Sequence, residues 1–92
     1  MLFKKIIDNF NRITVIVIDD ELNGKKLETL DFSTSFFYNL KKIKKEELRE
    51  ELKKAYMGLF FGDESVGIAR LLGLINDVRE VDGIKVAMFL RL

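Results

Sequence analysis

The sequence predicts an α+β fold, a two-layer sandwich in which helices cover one face of a small, mainly antiparallel sheet. Three observations predict this class. Residues 13–18 are a run of β-branched side chains, residues 45–60 and 64–80 repeat apolar side chains at helical spacing, and residues 84–92 alternate apolar and polar side chains. The expected order of elements is α-β-β-α-α-β. No Pro-, Ser- or Gly-rich linker interrupts the chain, so residues 1–92 are interpreted as a single compact domain.

The first predicted elements are a short helix and a β-hairpin. Leu2, Ile6 and Phe10 share one helical stripe, which favours a helix over residues 2–10. The strand over residues 13–18 comes next. Asn23-Gly24 then indicates a hairpin, because a type I′ turn requires positive φ at both central positions. A two-residue turn there would pair this strand with a second one ending near residue 32.

Two helices follow an ambiguous segment. Residues 34–43 fit both a strand and a helix, and we favour an extended segment into the mid-thirties followed by a turn. Residues 45–60 and 64–80 each carry one apolar stripe, and Asp63 is expected to be the N-cap of the second helix. A glycine inside a helix costs about 1 kcal/mol relative to alanine. Gly67 and Gly73 therefore suggest that another element packs closely against this helix.

The last strand begins after the turn dipeptide Asp82-Gly83 and covers residues 84–92. Successive side chains of a strand point to opposite faces of its sheet. The fully apolar row, which includes Met88, is expected to face the core, and the row that includes Phe89 is expected to face away.

Composition excludes several classes of chemistry. The chain has no His and no Cys, so it can form neither a Ser–His nor a Cys–His nucleophile pair, and it offers no ligand set for zinc or haem. Sixteen basic residues balance 15 acidic residues, which argues against a dominant nucleic-acid footprint.

No secretory signal or membrane span is visible, and we expect a cytoplasmic protein without a cofactor. The abundance of Lys, Glu and Ile, with no Gln or Cys, is found in heat-stable proteins, and a designed or alphabet-reduced sequence could have the same composition.

Carboxylates at the tip of the predicted hairpin are one candidate site. The expected register places Asp19, Glu21 and Glu28 on one face, where they could bind a divalent cation. With Arg70 or Lys85 as a phosphate partner, this site could support metal-dependent phosphate-ester chemistry. The alternative is a solvated hairpin end whose charges are screened.

A lysine-rich segment with aromatic neighbours is a second candidate site. Residues 36–45 could bind nucleic acid, with an aromatic ring stacking on bases and lysines contacting phosphates, or could lie on an anionic membrane. The alternative is that the aromatics enter the core and the lysines are only solvated. The candidate nucleic-acid residues are Tyr38, Lys41, Lys42, Lys44 and Lys45.

The outward face of the sheet is the third candidate and leads to our principal functional expectation. A two-layer domain leaves one sheet face open, and apolar side chains predicted on that face indicate a partner surface. We expect a small non-enzymatic module that forms a homodimer or binds another protein through its sheet; alternatively, a loop or the first helix covers this face. The candidate interface residues are Ile16, Ile18, Lys85, Ala87, Phe89 and Arg91.

Overall fold

The computed structural model describes residues 2–91, which form six strands and two α-helices. The strands are β1 (Leu2–Asn9), β2 (Arg12–Asp19), β3 (Lys41–Ile43), β4 (Met57–Phe61), β5 (Arg79–Val81) and β6 (Ile84–Leu90). The helices are α1 (Lys45–Lys54) and α2 (Asp63–Leu71). One sheet has the order β3-β1-β2-β4-β6-β5, with β2 and β4 parallel and the other neighbours antiparallel. The α+β class is confirmed, but the sheet is mixed and the order β-β-β-α-β-α-β-β replaces the expected one.

The expected helix over residues 2–10 is wrong, because this segment forms β1. Phe10 and Asn11 have φ of 54° and 66°, the two positive values that a type I′ turn requires, and they connect β1 to β2. The apolar side chains of β1 lie on opposite faces of the sheet. Leu2 is buried on the helix side, whereas Phe3 packs into the core on the other side. The spacing that resembled a helical stripe is therefore a strand with apolar side chains on both faces.

The expected hairpin at Asn23-Gly24 is also wrong. Asn23 has φ −59° and ψ 122°, and Gly24 has φ 78°, which match a type II turn rather than a type I′ turn. A 3-10 turn, Asp20–Leu22, ends the extended backbone before this point. The strand β2 instead pairs with β1 and β4, so the chain from residue 20 to residue 40 is free to cross one face of the sheet.

Apolar side chains are buried on both faces of the sheet. On the helix face, Leu48 of α1 and Val66 of α2 pack against Val15 and Val17 of β2. On the opposite face, the connection of residues 20–40 covers the sheet, and we call this the connection face. Phe32 is 2% exposed there, and its ring centroid lies 5.5 Å from that of Phe61. The chain therefore builds a third, irregular layer where a two-layer sandwich was expected.

The connection is held together locally by turns and side-chain hydrogen bonds. The backbone N–H of Phe32 donates to the carbonyl of Lys25 (2.7 Å). The hydroxyl and the backbone N–H of Ser33 donate to the Asp31 carboxylate, and these hydrogen bonds lower the pKa of Asp31 below its ordinary value of 3.8. These contacts fix the turn that carries Phe32 onto the sheet.

Both predicted helices end earlier than expected. The helix α1 stops at Lys54, and the segment that continues the apolar pattern is β4, a central strand of the sheet with apolar side chains on both faces. The helix α2 stops near Leu72 because Gly73 adopts φ +72°. Gly73 N–H donates to the Arg70 carbonyl, and Leu74 N–H donates to the Ala69 carbonyl, each at 3.0 Å, which is a Schellman motif. Gly73 thus ends the helix and does not mark a close approach.

The turn at Asp82-Gly83 and the strand after it are confirmed. Both residues have positive φ (55° and 76°), and they join β5 to β6. The strand β5 occupies residues that were expected to end the second helix, and Leu92 lies outside the described residues. No helix within residues 2–91 is long and apolar enough to cross a membrane.

Candidate interaction surfaces

The orientation of β6 is the reverse of the expected one. Phe89 is 8% exposed and packs in the helix-side core, where Ala87 is also buried. The Phe89 ring lies directly over Gly58 of the neighbouring strand, so closely that a Cβ at Gly58 would overlap it. Met88 and Leu90, expected in the core, are 53% and 47% exposed on the connection face. The expected exposure of Phe89 and Ala87 is therefore wrong.

Three other predicted interface residues make contacts within the fold, whereas Lys85 is exposed on the helix side of β6. Ile16 and Ile18 are fully buried beneath the connection, so the alternative that a loop covers this part of the face is what the structure shows. Arg91 Nη1 donates to the carbonyls of Leu52 (2.7 Å) and Ala55 (2.5 Å) at the end of α1. A cation there complements the helix dipole.

The connection covers the first half of β6, where Ile84 and Val86 pack against its core, and leaves Met88 and Leu90 in the second half exposed. The strand register pairs Met57 with Leu90 and Leu59 with Met88, which places four apolar side chains in a block on the connection face. We call these four residues the β6 patch. A shallow groove of about 530 Å³ runs from this patch along β5 and is lined by Leu59, Val81 and Met88, with Asp77 and Arg79 at its rim. The sequence did not show that Met88 and Leu90 would be exposed rather than buried in the core. Alternation along a strand separates its two faces but does not tell which face is covered.

Both edges of the sheet are short and charged. The edge strand β5 has three residues, of which Arg79 and Glu80 are exposed. The opposite edge strand, β3, also has three residues, and Lys41 and Lys42 are exposed there. Short edges with charged side chains resist pairing with another strand. Contact through the face of the sheet is therefore favoured over contact through its edges.

The carboxylate of Asp19 is buried and fully occupied by a structural contact. Asp19 is 2% exposed at the end of β2, beside the parallel strand β4. Its Oδ2 accepts from the backbone N–H of Glu64 (3.0 Å), and its Oδ1 accepts from the N–H and the hydroxyl of Ser65 (2.7 Å each). Gly62 is the N-cap residue, and Asp19 supplies the side-chain cap that was expected from Asp63. The contact joins residues 46 positions apart, so no local pattern could reveal it.

The expected cation site is not assembled around this carboxylate. Glu21 and Glu28 are exposed on the connection, while Asp19 is directed into the first turn of α2. Residues 2–91 contain no group of three carboxylates close enough to hold a metal ion. Of the suggested phosphate partners, Lys85 lies 3.7 Å from Asp63 and Arg70 is exposed on α2. The geometry therefore gives the phosphate-ester hypothesis no support.

The lysine-rich segment lies along one edge of the sheet, with Lys41 and Lys42 on opposite faces of β3. All four of its predicted lysines, Lys41, Lys42, Lys44 and Lys45, are exposed on β3 or just after it. Tyr38 precedes them and is 60% exposed. We call these five residues the β3 strip.

The neighbouring strand extends the β3 strip with further positive charge. Register pairing places Lys4 of β1 opposite Lys41, and Lys5 follows on the same strand. Lys4 forms an ion pair with Glu51 of α1. Together with Asn39, these three lysines line a recess of about 330 Å³ at the point where β3 begins.

Comparison with known proteins identifies the fold but no family. No protein-family model matches the chain, and no curated protein matches it. Among solved structures, the chain is similar to an uncharacterized conserved protein from Methanopyrus kandleri, with a TM-score of 0.75 and 16% sequence identity. The likeness covers 96% of this chain and 89% of that protein. At this identity the likeness shows a shared fold alone.

Proposed function

We propose that this protein is a small, non-enzymatic assembly module that forms a homodimer through its β6 patch. The observation that carries the proposal is the apolar block at the open end of the connection face, in which Met57 and Leu59 are partly buried and Met88 and Leu90 are exposed. Met88 and Leu90 are about half exposed, while their neighbours Ile16 and Phe61 on the same face are buried. An apolar block that the chain's own connection leaves open is typical of a contact surface.

A second copy of the chain is the occupant that the surface fits best. In a two-fold dimer the same patch meets itself, so it must be self-complementary. The β6 patch contains no charge, and its two methionines can adapt their shape to a symmetric partner. The rim carries one carboxylate, Asp77, and one guanidinium, Arg79, which lie 3.6 Å apart within one chain. Both signs of charge are therefore present for exchange across a two-fold axis.

The overall charge and surface area are compatible with such a dimer. The formal net charge is +1, so two copies repel each other weakly. A standard interface buries about 800 Å² per partner. That is about 13% of the 6038 Å² accessible surface of this chain. The β6 patch and its groove together would supply part of this interface area.

Sedimentation equilibrium across a concentration series tests the proposal. We expect the wild-type chain to dimerise, and Met88→Lys to weaken the dimer at least tenfold because it places a charge in the apolar contact. Leu71→Lys is the matched control, since Leu71 is an exposed leucine, 80% accessible, on α2. The control should leave the dimer unchanged. A wild-type chain that remains monomeric to about millimolar concentration would overturn the proposal.

A further inference from the structure

The β3 strip lies at the opposite end of the sheet from the β6 patch, and the self-association proposal leaves it without a role. The sheet order places β3 at one edge and β6 beside the other. The strip is therefore a second, independent surface. What the strip can bind follows from three properties: the charge of its lysines, the exposure of the neighbouring aromatic rings, and the accessibility of these side chains to a ligand.

Most of the strip's positive charge is not neutralised within the fold. Lys41, Lys42 and Lys44 form no ion pair among residues 2–91. Lys45 lies 3.8 Å from Glu64, and its side chain is still 64% exposed. The net charge of +1 therefore conceals a local concentration of cations at one sheet edge.

Carboxylates follow the strip in the sequence, and their positions decide whether they neutralise its lysines. Glu46 and Glu47 stand in the first turn of α1, where acidic side chains interact favourably with the helix dipole. Glu51 forms an ion pair with Lys4 on the neighbouring strand. Glu46 and Glu47 thus interact with the N-terminus of α1, and Glu51 interacts with β1. The lysines of β3 itself remain available to an external anion.

Two exposed aromatic rings border the lysines. Tyr38 is 60% exposed and makes no ring contact with the other described residues. Phe36 is 45% exposed, and its centroid lies 5.0 Å from that of Phe37. Lys5 lies over the Phe36 ring at 5.8 Å and donates to the Phe36 carbonyl (2.8 Å), which holds this segment against β1. The rings are therefore presented on a fixed backbone beside the cations.

We propose that the β3 strip binds single-stranded nucleic acid along the sheet edge, with its lysines contacting phosphates from both faces of β3 and with Tyr38 and the neighbouring Phe36 stacking on bases. Aromatic rings can stack on bases only where those bases are not stacked within a duplex. The three residues of β3 extend over about 10 Å, which suits a short segment of a flexible strand. Recognition through phosphates and stacking requires no particular base sequence.

Fluorescence anisotropy with labelled oligo-dT and oligo-U of about 12 nucleotides tests the proposal. If Lys41, Lys42 and Lys44 each contact a phosphate, log affinity should fall with log salt at a slope of about −2. The variant Lys41→Glu/Lys42→Glu should lose at least tenfold in affinity and reduce the slope by about 1.4. Tyr38→Ala should lower affinity severalfold without changing the slope, because stacking releases no counterion.

A matched control separates the site from general electrostatics. Lys53 and Lys54 are also adjacent exposed lysines, at the far end of α1, and Lys53→Glu/Lys54→Glu changes the net charge by the same amount. The proposal predicts that this control binds nearly as well as wild type. Equal losses in both double variants, equal or tighter binding of a duplex, or binding to anionic vesicles but not to either oligonucleotide would each overturn it. Circular dichroism should confirm that every variant is folded.

Discussion

The Oδ1 atom of Asp19 accepts two hydrogen bonds from Ser65, one from its backbone N–H and one from its hydroxyl, each at 2.7 Å. This pair joins the carboxyl end of β2 to the first turn of α2. Asp19 is 2% exposed and Ser65 is fully buried, so the contact is protected from water. Because β2 and β4 are parallel neighbours, the end of β2 lies beside the start of the helix that follows β4. One carboxylate thus fixes a helix to a strand that is distant in sequence.

Removing the Asp19 carboxylate should strongly destabilise the fold. Asp19→Ala leaves the N–H groups of Glu64 and Ser65 without their acceptor, and we expect the free energy of unfolding to fall by about 3 kcal/mol. Ser65→Ala removes one donor only and should cost about 1 kcal/mol. Urea denaturation of the three proteins measures both losses. Equal stabilities of Asp19→Ala and wild type would show that this contact does not hold α2.

Two glycines near the same helix should respond oppositely to alanine. Gly62 has φ +108°, and a Cβ there would overlap the Asp19 side chain, so Gly62→Ala should destabilise by more than about 2 kcal/mol. Gly67 lies within α2, with no atom near the position of a Cβ. Gly67→Ala should therefore stabilise by about 0.5–1 kcal/mol. Thermal and urea unfolding distinguish these outcomes, and a stabilising Gly62→Ala would contradict the described backbone.

The alternation of β6 predicts opposite effects for two neighbouring residues. Phe89 is buried against Gly58, so Phe89→Ala should cost about 3–4 kcal/mol by leaving a cavity. Met88 is 53% exposed, and Met88→Ala should cost less than about 1 kcal/mol in the monomer. Unfolding at a concentration low enough to keep the chain monomeric makes the comparison. A more costly Met88→Ala would mean that the two faces of β6 are exchanged.

The turn between β1 and β2 offers a stabilising substitution. Phe10 is 93% exposed and has φ 54°, a conformation that a bulky residue adopts at a cost and that asparagine tolerates well. We expect Phe10→Asn to raise the free energy of unfolding by about 1 kcal/mol. Phe10→Val is the control, since a β-branched side chain should not relieve the strain. A destabilising Phe10→Asn would indicate that the Phe10 ring makes a contact important for the fold.

Local patterns in the sequence predicted some elements well. Residues 13–18 are rich in β-branched side chains and form the middle of β2, and Lys45–Lys54 has the amphipathic pattern and charge distribution of a helix. Asp82-Gly83 forms its turn because both residues tolerate positive φ. In each case the short-range chemistry agrees with the tertiary structure.

Elements determined by long-range packing were not predictable from the same patterns. The strand β4 lies in the middle of the sheet, so its apolar run has no alternation to distinguish it from a helix. Asn23-Gly24 can form either a type II or a type I′ turn, and the choice depends on where the connection packs. Phe89 is buried because the helices pack on its face, and Met88 is exposed because the connection does not extend over the end of β6, and no local pattern specifies either outcome. These three outcomes account for the incorrect register and the misplaced interface.

The central claim, that two copies meet through the β6 patch, is tested most directly by isotope-filtered nuclear Overhauser spectroscopy on a mixture of ¹³C-labelled and unlabelled chains. We predict intermolecular contacts from the Met88 methyl to the side chains of Leu59 and Leu90 of the other copy. The leucine methyls of α2, including Leu71, should show none. Intermolecular contacts confined to Leu71 and its neighbours, or no intermolecular contact at about millimolar concentration, would contradict the claim.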